Sequence, residues 1–120
     1  MDIVQIETCS AFVTKDGSVI RELLSHRNSG IVNQSLAEAT VGPGIKTESH
    51  YHKVSEEIYY ILAGSAVVYL GSEVHRVQVG DAVAIPPGVV HWLHNDGPNE
   101  LKMLCCCAPG YEHEDTFISS

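Results

Sequence analysis

Residues 44–64 read GIKTESHYHKVSEEIYYILAG and residues 80–95 read GDAVAIPPGVVHWLHN. Each phrase is framed by punctuating residues and carries histidine at fixed spacing. In the first, Gly44 is followed by His50, His52, Glu57 and Gly64; in the second, Gly80 is followed by Pro86-Pro87-Gly88, His91 and Asn95. A β-strand alternates its side chains, so His50 and His52 project from one face. Three imidazoles and one carboxylate are a donor set suited to a divalent transition metal. Glu57 to Leu62 (Glu-Ile-Tyr-Tyr-Ile-Leu) is rich in β-branched and aromatic residues and reads as a strand. If Glu57 points inward, so do Tyr59 and Ile61. Ile58, Tyr60 and Leu62 then face outward, an apolar set that suits a second packing surface such as a subunit contact.

Working outward, turn signals cut the chain into short strands: Asp16-Gly17, Gly42-Pro43-Gly44, Gly71-Ser72, Gly80-Asp81 and Asp96-Gly97-Pro98-Asn99. Between them, strands are expected over 6–15 (irregular), 18–24, 33–41, 45–52, 57–62, 66–70, 74–79, 82–85, 90–94 and 101–107. Those at 57–62 and 66–70 are expected to join at Gly64-Ser65 as a hairpin. The tail, 109–120, is acidic and polar and is expected to lie over the surface or fray. Closely spaced strands with turns between them indicate an all-β sandwich or barrel in one domain spanning residues 1–120.

The net charge of −8, with 7 basic residues, argues against nucleic acid and anionic membranes as partners. No stretch approaches the roughly 20 apolar residues of a membrane helix. Met1-Asp2-Ile3 opens no signal peptide, so cytoplasmic residence is the expectation. Cysteine occurs at 9, 105, 106 and 107, and a disulfide framework is not expected in a reducing compartment. The run Cys105-Cys106-Cys107 reads as a strand using cysteine as a small apolar residue, or as one placing an inward thiol near a metal. Alternation puts Cys105 and Cys107 on one face and Cys106 on the other, without saying which is inside.

The two phrases resemble the paired motifs of the cupin superfamily, G-x5-H-x-H-x3,4-E-x6-G and G-x5-P-x-G-x2-H-x3-N, with every fixed position filled. Their separation of 15 residues, Ser65 to Val79, resembles that of a compact single-domain microbial cupin. The resemblance implies a double-stranded β-helix, or jelly-roll, barrel. It implies that His50, His52, Glu57 and His91 meet inside it as ligands of one divalent metal: Fe, Mn, Ni, Cu or Zn. Glu56 competes with Glu57 for the carboxylate position; the six-residue gap to Gly64 selects Glu57. Lys46 and Glu48 share parity with His50 and His52. A regular strand would place Glu48 beside the metal as a base or supporting group, and Lys46 where it meets an anionic substrate. If the strand starts at Glu48 or later, both are solvated. Tyr59 either orients a ligand through its hydroxyl or fills the core. His75, His94 and His113 are expected at the surface.

Four protein ligands leave about two positions on an octahedral metal for a substrate or dioxygen. A metal-dependent, oxygenase-type reaction on a small enolic or phenolic molecule is therefore expected. The alternatives are a sugar or sugar-phosphate isomerase, or epimerase, and a binding module without turnover. A homodimer is expected from the outward apolar side chains.

Overall fold

The computed structural model describes residues 1–119 as two facing antiparallel sheets. The strands are β1 (Phe12–Val13), β2 (Val19–Leu24), β3 (Ser35–Val41), β4 (His50–His52), β5 (Glu56–Ala63), β6 (Ser65–Leu70), β7 (Glu73–Gln78), β8 (Ala82–Ile85), β9 (His91–His94), β10 (Leu101–Ala108) and β11 (Thr116–Ile118). One sheet runs β1-β2-β3-β10-β5-β8 and the other β11-β4-β9-β6-β7. This is the all-β jelly roll that the motifs imply. No helix among the described residues is long and apolar enough to cross a membrane.

Period-two burial is clearest where the sheets face each other. Along β5, Glu57, Tyr59 and Ile61 are buried, while Ile58, Tyr60 and Leu62 are 49, 43 and 40 % exposed. Along β10, Leu101, Met103, Cys105 and Cys107 point inward and Cys106 does not, which settles the face of the cysteine run. With Val68 and Leu93 from the opposite sheet, these side chains fill the core. All four cysteines are free thiols.

Four expectations need correction. First, β5 and β6 are not a hairpin. They lie in different sheets, and the chain passes between sheets at Gly64. Gly64 has φ +79°, and a Cβ there would come within 2.6 Å of the Glu100 carbonyl oxygen, so only glycine lets the crossing pack this tightly. The hairpin partner of β6 is β7. Second, the strand carrying the first two histidines starts at His50, not Ile45. Before it the chain makes only an isolated bridge, Lys46 to His94, and it is Thr47 that turns inward, its N–H bonded to the Leu93 carbonyl. Third, the tail is built in: β11 pairs with β4, and the Asp115 carboxylate accepts from the backbone N–H groups of Lys53, Val54 and Ser55. Fourth, the expected irregular strand over 6–15 is a 3-10 turn, Ile6–Thr8, followed by the two-residue β1.

The motif residues that carry no imidazole or carboxylate hold the loops together. Asn95 is fully buried. Its Nδ2 donates to the carbonyls of Val41 and Asn99, its Oδ1 accepts from Gly97, and its own carbonyl accepts from Gly44. Gly88 N–H donates to the His52 carbonyl, tying the proline turn to the histidine strand. The two phrases are thus one hydrogen-bonded unit in space.

Candidate metal centre

β4 and β9 are neighbours with His50 opposite His91, so the small sheet presents three imidazoles to the interior. His50, His52 and His91 are 3, 5 and 1 % exposed, and one ring nitrogen from each lies within 4.8 Å of the others. Glu57 reaches them from the facing sheet: its Oε1 is 3.3 Å from His52 Nε2 and 3.7 Å from His91 Nε2. Glu56 is exposed and takes no part.

The outer nitrogens fix the tautomers. His50 Nδ1 lies 2.9 Å from the Glu48 carbonyl oxygen, and His91 Nδ1 lies 2.9 Å from that of Val89. A carbonyl only accepts, so both Nδ1 atoms carry protons and both neutral rings turn an Nε2 lone pair inward. His52 Nδ1 is 3.3 Å from the Thr116 hydroxyl, which itself donates to the Glu112 carbonyl and so is free to accept from His52. These are the outer contacts that orient metal-binding imidazoles.

Two atoms in this cluster are buried with no hydrogen-bond partner: Glu57 Oε1 and His91 Nε2. Both are acceptors and they face each other. Burying unpaired polar groups is costly, and a cation between the two satisfies both. The residues therefore fit a divalent metal. Without one, the carboxylate and imidazoles settle between themselves. Burial pushes the Glu57 carboxyl up, but His52 and His91 pull it down further, to about 2. Burial lowers His52, but the Glu57 contact outweighs it and the net shift is upward. Burial, then the neighbouring His91, lowers His50.

Other expected residues divide. Cys107 lies against the site, its Sγ donating to Glu57 Oε2 at 3.3 Å. Burial, then the Glu57 charge, holds that thiol far above its ordinary value, so it serves as a donor and not as a thiolate ligand. Tyr59 is buried and packs edge-on to His91, at 6.1 Å between ring centroids. Lys46 and Glu48 are both exposed, because the chain before His50 is not a regular strand; only the Glu48 carbonyl reaches the site. His75 and His113 are exposed and His94 is half-buried, all outside the cluster.

Three residues at the centre carried no sequence signal. Thr116 orients His52. Tyr111 sits edge-on to His52 at 6.1 Å, with its hydroxyl buried and unpartnered. Asp16, an ordinary turn residue in sequence, brings Oδ2 to 3.8 Å from His50 Nε2. All three border a small chamber over the imidazoles, with ≈ 40 Å³ open to the centres of water molecules. A mostly apolar passage, lined by Phe12, Ile20, Ala37 and Cys105 and by the carboxylates Glu22 and Glu57, adjoins it and shares Tyr111 with it.

Residues 37–107 match the cupin domain family. This chain is a cupin. It is 51 % identical over 107 residues to the uncharacterized protein MJ1618 of Methanocaldococcus jannaschii, covering 89 % of this chain and 86 % of that one. The structure resembles the polyketide cyclase RemF of Streptomyces resistomycificus, with TM-score 0.83, 22 % identity, and coverage of 100 % of this cupin and 86 % of RemF. It also resembles a point variant of Streptomyces Pac13, a nucleoside dehydratase, with uridine: TM-score 0.78, 20 % identity, coverage 99 and 93 %. At such identities the two structures share a fold with this cupin, and their reactions are their own.

Proposed function

We propose that this cupin is a metal-dependent enzyme acting on a small organic molecule that presents two neighbouring oxygens, of the enol or phenol type, in an oxygenase-type reaction. His50, His52, His91 and Glu57 hold the divalent metal. The observation that carries this reading is the pair of facing, buried, unpartnered acceptors, Glu57 Oε1 and His91 Nε2, with every imidazole Nδ1 already committed outward. A bound divalent metal supplies Lewis acidity and, if redox-active, an anchoring point for dioxygen.

The chain's own residues do the rest. Glu57 offsets part of the cation's charge and is steadied by the Cys107 thiol. The apolar passage suits an unsaturated carbon skeleton and keeps bulk water from the chamber. Tyr111 lines both spaces, so its free hydroxyl is placed to meet a ligand passing between them.

A redox-neutral proton shift, as in an isomerisation, cyclisation or dehydration, is the second reading. The Asp16 carboxylate beside His50 favours it, and the neighbours RemF and Pac13 belong with such reactions. A sugar-phosphate substrate suits the chamber poorly, since no lysine or arginine lines it among the described residues. Oxygen uptake by metal-loaded protein, measured over a panel of enols and catechols, separates the two. Consumption that follows product formation supports the oxygenase, and turnover without consumption supports the proton shift.

The outward Ile58, Tyr60 and Leu62 are proposed to meet a second copy of the chain. Light scattering at micromolar concentration is expected to give twice the chain mass. A monomer there contradicts the dimer.

A further inference from the structure

Asp16 is an acidic side chain that lines the chamber over the imidazoles and that the motifs do not explain. It is held rigidly. Its Oδ1 accepts from the Thr14 hydroxyl at 2.6 Å, the Ser18 N–H at 2.9 Å and the Ser18 hydroxyl at 2.6 Å. Its backbone carbonyl accepts from the Glu48 N–H at 2.7 Å, which locks the Asp16 turn to the segment leading into His50. Three donors hold one oxygen, and the other, Oδ2, faces His50 Nε2 at 3.8 Å. The side chain is 13 % exposed, and it lines the same chamber as Glu57 and the free Tyr111 hydroxyl.

Charge along the approach points the same way. Neither the chamber nor the apolar passage is lined by lysine or arginine among the described residues, while Asp16, Glu57 and Glu22 all contribute carboxylates. The nearest cations are spent. Arg27, at the outer mouth, is bonded to Glu22, Glu112 and the Tyr111 carbonyl, and Lys15 Nζ to the carbonyls of His113 and Thr116. With Glu57 committed to the metal, Asp16 is the carboxylate left facing an incoming ligand, and it offsets the pull of the cation on an anion. A neutral molecule with an O–H or N–H finds a pre-positioned acceptor.

We infer that Asp16 is the ligand-selecting residue of the site. Its Oδ2 accepts a hydrogen bond from an O–H or N–H of a neutral small molecule whose neighbouring oxygens face the imidazole cluster, and its charge turns away carboxylates and phosphates. This rests on the metal-centre reading above and narrows its substrate to uncharged, donor-bearing molecules. Asp16 is a selecting residue here, not a fifth ligand: the cluster is complete without it, and its Oδ1 is fully occupied in holding the turn.

The test uses two small chelators of equal ring size and unlike charge, acetohydroxamic acid (neutral in solution; it gives up its O–H proton to solvent on chelation and keeps its N–H as a monoanion) and oxalate (a dianion with no donor). Cobalt(II) content per chain is counted first, in wild type, Asp16→Asn and Ser18→Ala, alongside their melting temperatures. Each chelator is then titrated into the loaded proteins and followed by cobalt absorption and calorimetry. Asp16→Asn keeps an oxygen for the three donors, so it is expected to load cobalt and melt like wild type. It is expected to bind acetohydroxamic acid about tenfold more weakly, the loss of a hydrogen bond to a charged acceptor. It is expected to bind oxalate at least about fivefold more tightly, the bulk-water value for relief of one like charge near 4 Å. Ser18→Ala, which loosens Oδ1, shifts both in the same directions by less. An unchanged ratio of the two affinities in Asp16→Asn overturns the inference. So does loss of cobalt from Asp16→Asn alone, which would make Asp16 a ligand. Failure of wild type to load cobalt overturns the metal centre and this inference together, and the metal count identifies that case.

Discussion

Of the three outer contacts that orient the imidazoles, two are made by backbone carbonyls and one by a side chain, Thr116. Thr116→Val therefore removes one such contact while keeping the shape of a residue that is 3 % exposed. The substitution leaves His52 Nδ1 without its hydroxyl acceptor, while the Glu112 carbonyl loses the Thr116 hydroxyl and keeps the Asp115 N–H. His52 is then free to exchange tautomers or rotate, which turns the proton-bearing nitrogen toward the metal for part of the time. Losing an outer partner of a metal-bound imidazole costs about 10- to 100-fold in affinity. The 3.3 Å contact is long for a hydrogen bond, so the lower half of that range is expected, about 10- to 30-fold. The lost Thr116–Glu112 hydrogen bond costs about 1 kcal/mol of stability in addition. Competition of zinc or cobalt against a chromophoric chelator measures the first effect, and thermal melting of the metal-free protein the second. Thr116→Ser keeps the hydroxyl and is expected to retain wild-type affinity within about threefold. Equal metal affinity in wild type and Thr116→Val, with the fold intact, refutes the assignment of Thr116 as the group that fixes the His52 tautomer.

Gly64→Ala must fit a methyl 2.6 Å from the Glu100 carbonyl at φ +79°, whereas Gly80→Ala meets nothing within 4 Å at φ +93°. Melting should therefore show Gly80→Ala losing about 1 kcal/mol and Gly64→Ala about 2–4 kcal/mol; equal losses would remove the steric account of the sheet crossing. Metal binding needs neutral imidazoles, and Glu57 raises the pKa of His52 above the ordinary 6.5 while His50 is lowered, so His52 limits binding. The gap in melting temperature between loaded and metal-free protein should be full above the raised His52 value and shrink as pH falls through it; a constant gap from alkaline to mildly acidic pH contradicts the linkage. Cys105 and Cys107 are buried and held as thiols, while Cys9 and Cys106 are half-buried. A disulfide reagent should therefore titrate no more than two thiols per folded chain, and four in denaturant; fast reaction of a third would show that Cys105 or Cys107 is not shielded.

Much of the centre was legible because its residues obey local periodicities. His50 and His52 share a face because they sit two apart on one strand, and the spacing to Gly64 picked Glu57 over Glu56. Inward Tyr59 and Ile61 and outward Ile58, Tyr60 and Leu62 follow from the same rule. The rule fails where the backbone is not extended. Lys46 and Glu48 have the right parity but precede the strand, and Thr47 takes the inward position in their place. Sheet membership was not legible either, because a glycine turn between two strands looks the same whether it closes a hairpin or passes between layers; only the close approach to Glu100 distinguishes Gly64. Asp16, Tyr111 and Thr116 were missed for a third reason. Each is distant in sequence from the motifs and reaches the chamber through pairing, β11 on β4 and the Asp16 carbonyl on Glu48, and a single sequence does not encode such contacts as a pattern.

The central claim is that His50, His52, His91 and Glu57 hold a metal, and it is tested most directly by counting metal per chain with plasma mass spectrometry on untagged protein purified without chelator. The account predicts about one equivalent of iron, manganese, nickel, copper or zinc, absent from a folded His50→Ala/His91→Ala variant. No metal in wild type after reconstitution, or the same content in the double variant, would contradict it.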